Sequence, residues 1–140
     1  MVALNRNIGT VDTLLVLRDI ADGAETATAA ETGVEFAVRK IGAYKAVFNI
    51  SAIDYGATNE TYQLDILVSD VVGGTYTSIA SIPTATVVAN AVTAGQMRLE
   101  LPLSGNLAEE FDADSAFIQC KATLGGTTPS ITYGCHLEQA

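Results

Sequence analysis

The sequence has no tryptophan, one histidine (His136), two cysteines (Cys120 and Cys135) and three prolines. Basic side chains are scarce. Arg6, Arg18, Arg39, Lys40, Lys45, Arg98 and Lys121 face sixteen carboxylates, for a formal charge of −9. Only Arg39, Lys40 and nearby Lys45 approach a cluster, so no basic patch offers itself to phosphates. This argues against nucleic acid or an anionic membrane as a partner. No run reaches the ~18 apolar residues of a membrane-spanning helix. The opening MVALNRNIGT lacks the basic-then-apolar order of a signal peptide. The expectation is synthesis in a cytosol, where two cysteines are most simply reduced thiols. There is no GxGxxG, GxxxxGK[ST] or GxSxG motif, no internal repeat and no heptad pattern.

What is present is apolar for so acidic a chain. Charged residues make up 16% of the sequence, against about 25% in an average soluble domain, and the mean hydropathy is +0.30. Much of the surface must then be small or aliphatic, which suits a surface covered by other subunits. A length of 140 residues suits one domain that buries roughly two-thirds of its unfolded surface without help from a metal or disulfide.

Short alternating apolar runs separated by turn residues predict an all-β fold. Eight strands are expected, over 12–20, 33–40, 43–53, 60–69, 75–82, 96–103, 116–124 and 130–138. The fourth alternates most clearly, with Tyr62, Leu64, Ile66 and Val68 on one face and Thr61, Gln63 and Asp65 on the other. Strands at this spacing make a two-sheet sandwich, jelly-roll or immunoglobulin-like. Residues 1–12 read as an N-terminal arm and 13–140 as a single sandwich domain. Pro102 marks an edge strand or a bulge. ADGAETATAAET (21–32) reads as a mobile acidic loop, and PTATVVANAVTAG (83–95) as an extra strand or an apolar contact loop. The expected core is Phe36, Val38, Phe48, Ile50, Tyr62, Leu64, Ile66, Leu99, Leu101, Ile118 and Tyr133.

The ending KATLGGTTPSITYGCHLEQA places a cysteine beside the histidine. Folding it as a hairpin about GGTTPS, with Leu124 against Ile131, brings Cys120 opposite Cys135 on the apolar face. His136 then points outward beside Glu138. Burial among aliphatics raises a thiol pKa, and adjacent strand residues face opposite ways, so His136 cannot activate Cys135. No zinc-ligand spacing is present. Paired core thiols are expected, with a cross-strand disulfide as the other state. DADS (112–115) spaces oxygen ligands as calcium loops do, but lacks the following glycine and the distant glutamate, and reads as a solvated acidic loop. Glu60 and Asp65 have opposite parity and read as surface acids rather than a hydrolytic pair. The five tyrosines could form a sugar-binding platform only in part, because Tyr62 and Tyr133 belong to the core by parity. No catalytic residue, cofactor or metal site is expected.

Two stretches carry a resemblance. YKAVFNISAIDYGATNETYQLDILVSD (44–70) resembles a pattern in virion structural proteins of tailed bacteriophages. In that pattern an apolar strand ending in V/I-x-A-I/L-D leads through a polar turn to D/N-E-x-Y and an alternating strand. LGGTTPSITYGCHLE (124–138) resembles the closing hairpin of the same proteins, and MRLELPLSGN (97–106) the strand before it. The resemblance implies a capsid decoration, or cement, protein. Such a protein is not an enzyme. It binds the major capsid protein on the outer virion surface, often as a dimer or trimer. The cysteine pair departs from the pattern. Two other readings stand beside it: another virion component, such as a head–tail or tail-surface protein, and a carbohydrate-binding or adhesion module. For a capsid contact the candidate anchors are Leu4 and Ile8, with Arg6 pairing to an acid, and Val87 and Val88 in the 84–92 link.

Overall fold

An alternating strand is stable only where one of its faces is buried, and the long runs of this chain meet that condition by packing two sheets together. A computed structural model describes residues 15–35, 43–88, 97–104 and 116–139. The strands among them are β1 (Val16–Arg18), β2 (Ala24–Glu25), β3 (Ala29–Ala30), β4 (Val34–Glu35), β5 (Ala43–Ile53), β6 (Thr61–Ser69), β7 (Thr77–Ile82), β8 (Met97–Ser104), β9 (Phe117–Gly125) and β10 (Ile131–Gln139).

Sheet A has the order β1-β10-β5-β8, with β2 also on β10. Sheet B has the order β3-β9-β6-β7, with β4 also on β9. All pairings are antiparallel. The nesting is regular. β1 pairs with β10, β3 and β4 with β9, β5 with β8, and β6 with β7. A long two-stranded ribbon rolled into two sheets is a jelly roll, so the strand order decides between the two sandwich types expected.

The core lies between the sheets. Phe48, Ile50, Tyr62, Leu64, Ile66, Ile118 and Tyr133 are all 0–1% exposed. Leu99 and Leu101 are only partly buried, because β8 ends its sheet. Pro102 sits in that terminal strand, where a missing backbone donor costs least. Phe36 and Val38 lie outside the described residues.

Two expectations are corrected. Within 21–32, a 3-10 turn (Ile20–Asp22) is followed by β2 and β3, two-residue strands that cross from sheet A to sheet B. Alanine- and threonine-rich sequence gives no alternation signal, so pairing with β10 and β9 decides its structure. Nor do β9 and β10 form a hairpin. β9 pairs with β6 and β10 with β5, in different sheets, and the segment between them is a crossing.

That crossing is interlocked with the one from β5 to β6. Asn59 donates to Thr127 Oγ1 at 2.8 Å, and Thr127 N–H donates to Asn59 Oδ1 at 3.1 Å. Asp54 N–H donates to the Ser130 carbonyl at 2.9 Å. The buried Tyr62 hydroxyl donates to the Asp54 carbonyl and accepts from Ser130 N–H. The two stretches that carry the resemblance therefore pack on each other at one end of the sandwich. Gly126 makes this close approach possible. Its φ is +100°, and a Cβ there would lie 2.6 Å from the Asn59 carbonyl oxygen and the Glu60 Cα.

Gly126→Ala should cost about 2 kcal/mol or more, from the left-handed backbone and the clash together. Gly73→Ala, where a Cβ meets nothing within 4 Å, should stay within about 0.5 kcal/mol of the parent. Denaturant unfolding of both variants checks the pair.

Candidate functional site

The side chains of greatest chemical interest gather where β1, β2 and β3 close one side of the sandwich. A β-bulge between Val16 and Arg18 shifts the β1 register on β10. Val16 pairs with His136 and Arg18 with Cys135, so Arg18 is turned inward and is only 6% exposed. Its Nη1 donates to the Tyr133 carbonyl at 2.6 Å and its Nη2 to the Gly23 carbonyl at 3.0 Å. Its Nε faces Glu25 Oε1 at 3.2 Å and Glu31 Oε2 at 3.3 Å. The guanidinium lies 4.7 Å from the centroid of the Tyr133 ring. Burial opposes the Arg18 charge, but the Glu25, Tyr133 and Glu31 fields outweigh it and hold its pKa above the ordinary value.

Behind this cluster lie the cysteines. Both are free and buried. They belong to opposite sheets, Cys120 on β9 and Cys135 on β10, and both face the shared core. Cys120 Sγ also lies 3.8 Å from the Tyr133 hydroxyl. Pairing on the apolar face was expected from parity; the geometry that achieves it is sheet-to-sheet packing rather than a hairpin. Burial, then the contact with Cys120, pushes the Cys135 thiol well up, and burial does the same to the Tyr133 hydroxyl. A thiol held protonated in an apolar interior is a poor nucleophile.

His136 takes the opposite face, as its parity requires. It is nonetheless 8% exposed and lies 2.8 Å from Glu138 Oε2 through Nε2. Arg98 Nη2 donates to both Glu138 oxygens, at 2.9 and 3.0 Å, and Lys45 bridges Glu138 and Glu100 at 3.9 and 3.1 Å. Burial opposes ionisation of Glu138, but hydrogen bonds from His136 and Arg98 hold its carboxyl below the usual range. This is a charge-balanced network on the outer face of sheet A. Beside it, the β1 bulge and the bare backbone of Gly134 leave a groove of about 210 Å³ lined by Val16, Asp19, Ile20, Asn49 and His136.

Glu60 and Asp65 are not surface acids. Glu60 is 1% and Asp65 6% exposed. Thr128 donates to Glu60 Oε2 through N–H and hydroxyl, while Gln63 and Ser81 donate to Asp65. Tyr44, Tyr62 and Tyr133 are buried, which withdraws them from any exposed aromatic platform. Among the described residues no group of three or more His, Cys, Asp or Glu is placed to hold a metal ion, and no helix is long and apolar enough to cross a membrane. The DADS segment lies outside the described residues.

Of the five contact candidates, Leu4, Arg6 and Ile8 lie outside the described residues. Residues 84–88 form a short helical turn, which turns Val87 into the core at 0% exposure and leaves Val88 partly buried against it. The large apolar side chains exposed among the described residues are Ile20, Val71 and Val72. The valines stand in the β6–β7 turn, where the sequence shows only turn chemistry. Arg18 was also illegible, because a bulge leaves no mark in an alternation pattern.

No family model matches the chain, and no curated protein matches it.

Native protein should react negligibly with a thiol reagent, and denatured protein should release two thiols without reductant. Arg18→Met should cost about 1–3 kcal/mol, because it leaves the Tyr133 and Gly23 carbonyls and two partly buried carboxylates without their donor. Urea unfolding checks the second expectation.

Proposed function

We propose that this protein is a structural component of a tailed-bacteriophage virion that decorates and reinforces the outer capsid surface. Its partner on this reading is the major capsid protein, and it acts as a dimer or trimer rather than as an enzyme. The observation that carries the reading is the resemblance of 44–70 and 124–138 to virion proteins. It is supported by the packing of those two stretches into one interlocked double crossing. Jelly rolls recur in viral capsid proteins, but also in lectins, so fold alone does not separate the virion reading from an adhesion module.

The physical logic is mass action. A protein that binds only the expanded shell stabilises that shell, and many weak repeated contacts add up to a strong hold. The −9 formal charge keeps decorated particles apart. Val71 and Val72 offer apolar surface for such a contact. Val87 does not, since it is already used in the chain's own core.

Purified protein mixed with expanded capsids should bind at on the order of hundreds of copies per particle, as repeated lattice contacts require. About a dozen copies or fewer would indicate a ring at the neck or tail, and no binding together with glycan binding would indicate an adhesin. Deleting residues 2–9 should leave a folded domain that has lost capsid binding or self-association. Full occupancy by the deleted form would remove Leu4, Arg6 and Ile8 as anchors.

A further inference from the structure

The closed side of the sandwich holds one cation and two carboxylates. Arg18 Nε carries a single N–H, yet Glu25 Oε1 and Glu31 Oε2 lie 3.2 and 3.3 Å from it. The Nη atoms are directed to backbone carbonyls. Glu25 Oε2 is buried and receives no hydrogen bond from any donor among the described residues. The Glu31 carboxyl group lies against the same Nε, so the two carboxyl groups stand side by side on one donor. Two carboxylates cannot hydrogen-bond unless one is protonated. One buried cation also balances only one anion, and these two carboxylates are largely withdrawn from water, with side chains 10 and 22% exposed.

We propose that Glu25 and Glu31 share a proton, and that with Arg18 they form a pH-operated latch fastening the β2–β3 strap across the two sheets. Glu25 is on β2, which is held to sheet A by two residue pairs. Glu31 follows β3, which is held to sheet B by two residue pairs, and its N–H donates to the Cys120 carbonyl at 3.0 Å. Ladders this short open locally before the rest of the sandwich does.

Among the described residues the titratable groups facing Glu25 are Arg18 from β1, Glu31 and Tyr133 from β10, with Cys120 and Cys135 behind Tyr133. Arg18 stays charged, and burial pushes Tyr133 and Cys135 upward. That leaves the Glu25 carboxyl to titrate near neutrality. Burial, then the hydrogen bond with Glu31, raises Glu25 from 4.5 to about 7. A raised carboxyl binds a proton in the native state that the unfolded chain releases. Its contribution to stability is full below about 4.5 and is lost as pH rises through about 7. Above that the cluster carries an excess negative charge, the carboxylates repel, and the strap lifts from Tyr133 and the two thiols.

The test compares the full chain with Glu25→Gln, whose amide donates to Glu31 at every pH. Between about pH 5 and about pH 8 the parent melting temperature should fall by several degrees relative to E25Q, with the difference centred near the folded pKa. Parallel curves overturn the proposal. At the upper pH the parent thiols should label several-fold faster than those of E25Q, and equal rates overturn the latch. Should E25Q fail to fold, carbon-13 NMR of the parent carboxyl groups decides. A glutamate step near pH 7 is expected, and titration of every glutamate near the ordinary value overturns the shared proton.

Discussion

The hydroxyl of Tyr62 holds together two of the places where the chain changes sheet, the β5–β6 and β9–β10 crossings. Tyr62 is fully buried, so its O–H must find partners inside the protein. It finds the Asp54 carbonyl at the end of one crossing and the Ser130 N–H at the end of the other. Because those crossings run side by side, β5 lies against β10 in one sheet and β6 against β9 in the other. The central strands of both sheets are thereby placed, and the remaining strands add outward from them.

Polar groups inside the sandwich follow the same requirement for partners. The β1 bulge aims Arg18 inward, where carbonyls of Tyr133 and Gly23 and two carboxylates receive its donors. On the other face of sheet A, the nearly buried Glu138 keeps its charge through Arg98, Lys45 and His136. The two clusters differ in charge balance. The outer one matches carboxylates with cations. The inner one places two carboxylates on a single arginine, so its charges do not balance one to one.

The chemistry of the interior bears on function by what it makes inert. A Cys135 thiol pushed toward the protonated form and tyrosines without access to solvent are packing and hydrogen-bonding elements. Surfaces remain the natural place for the protein to act. The exposed Val71 and Val72 at the β6–β7 turn and the groove beside Ile20 are features of that surface. On the proposed virion role these surfaces would carry the contact.

Alternation in 43–53, 60–69, 116–124 and 130–138 by itself determined the all-β class and the inward residues of the central strands. A side chain's face depends only on local parity once one face is buried. Parity likewise separated His136 from Cys135. The pairing of strands was not legible, because turn residues permit a hairpin or a crossing alike; only packing of Tyr62 and Gly126 against the opposite corner decided that β9 and β10 part company. Nor could parity place Arg18, which a one-residue bulge moves to the other face, or Val87, which a helical turn carries inward. The junction of Arg18, Glu25 and Glu31 belongs wholly to the tertiary structure, since β2 and β3 exist only through their pairing with β10 and β9.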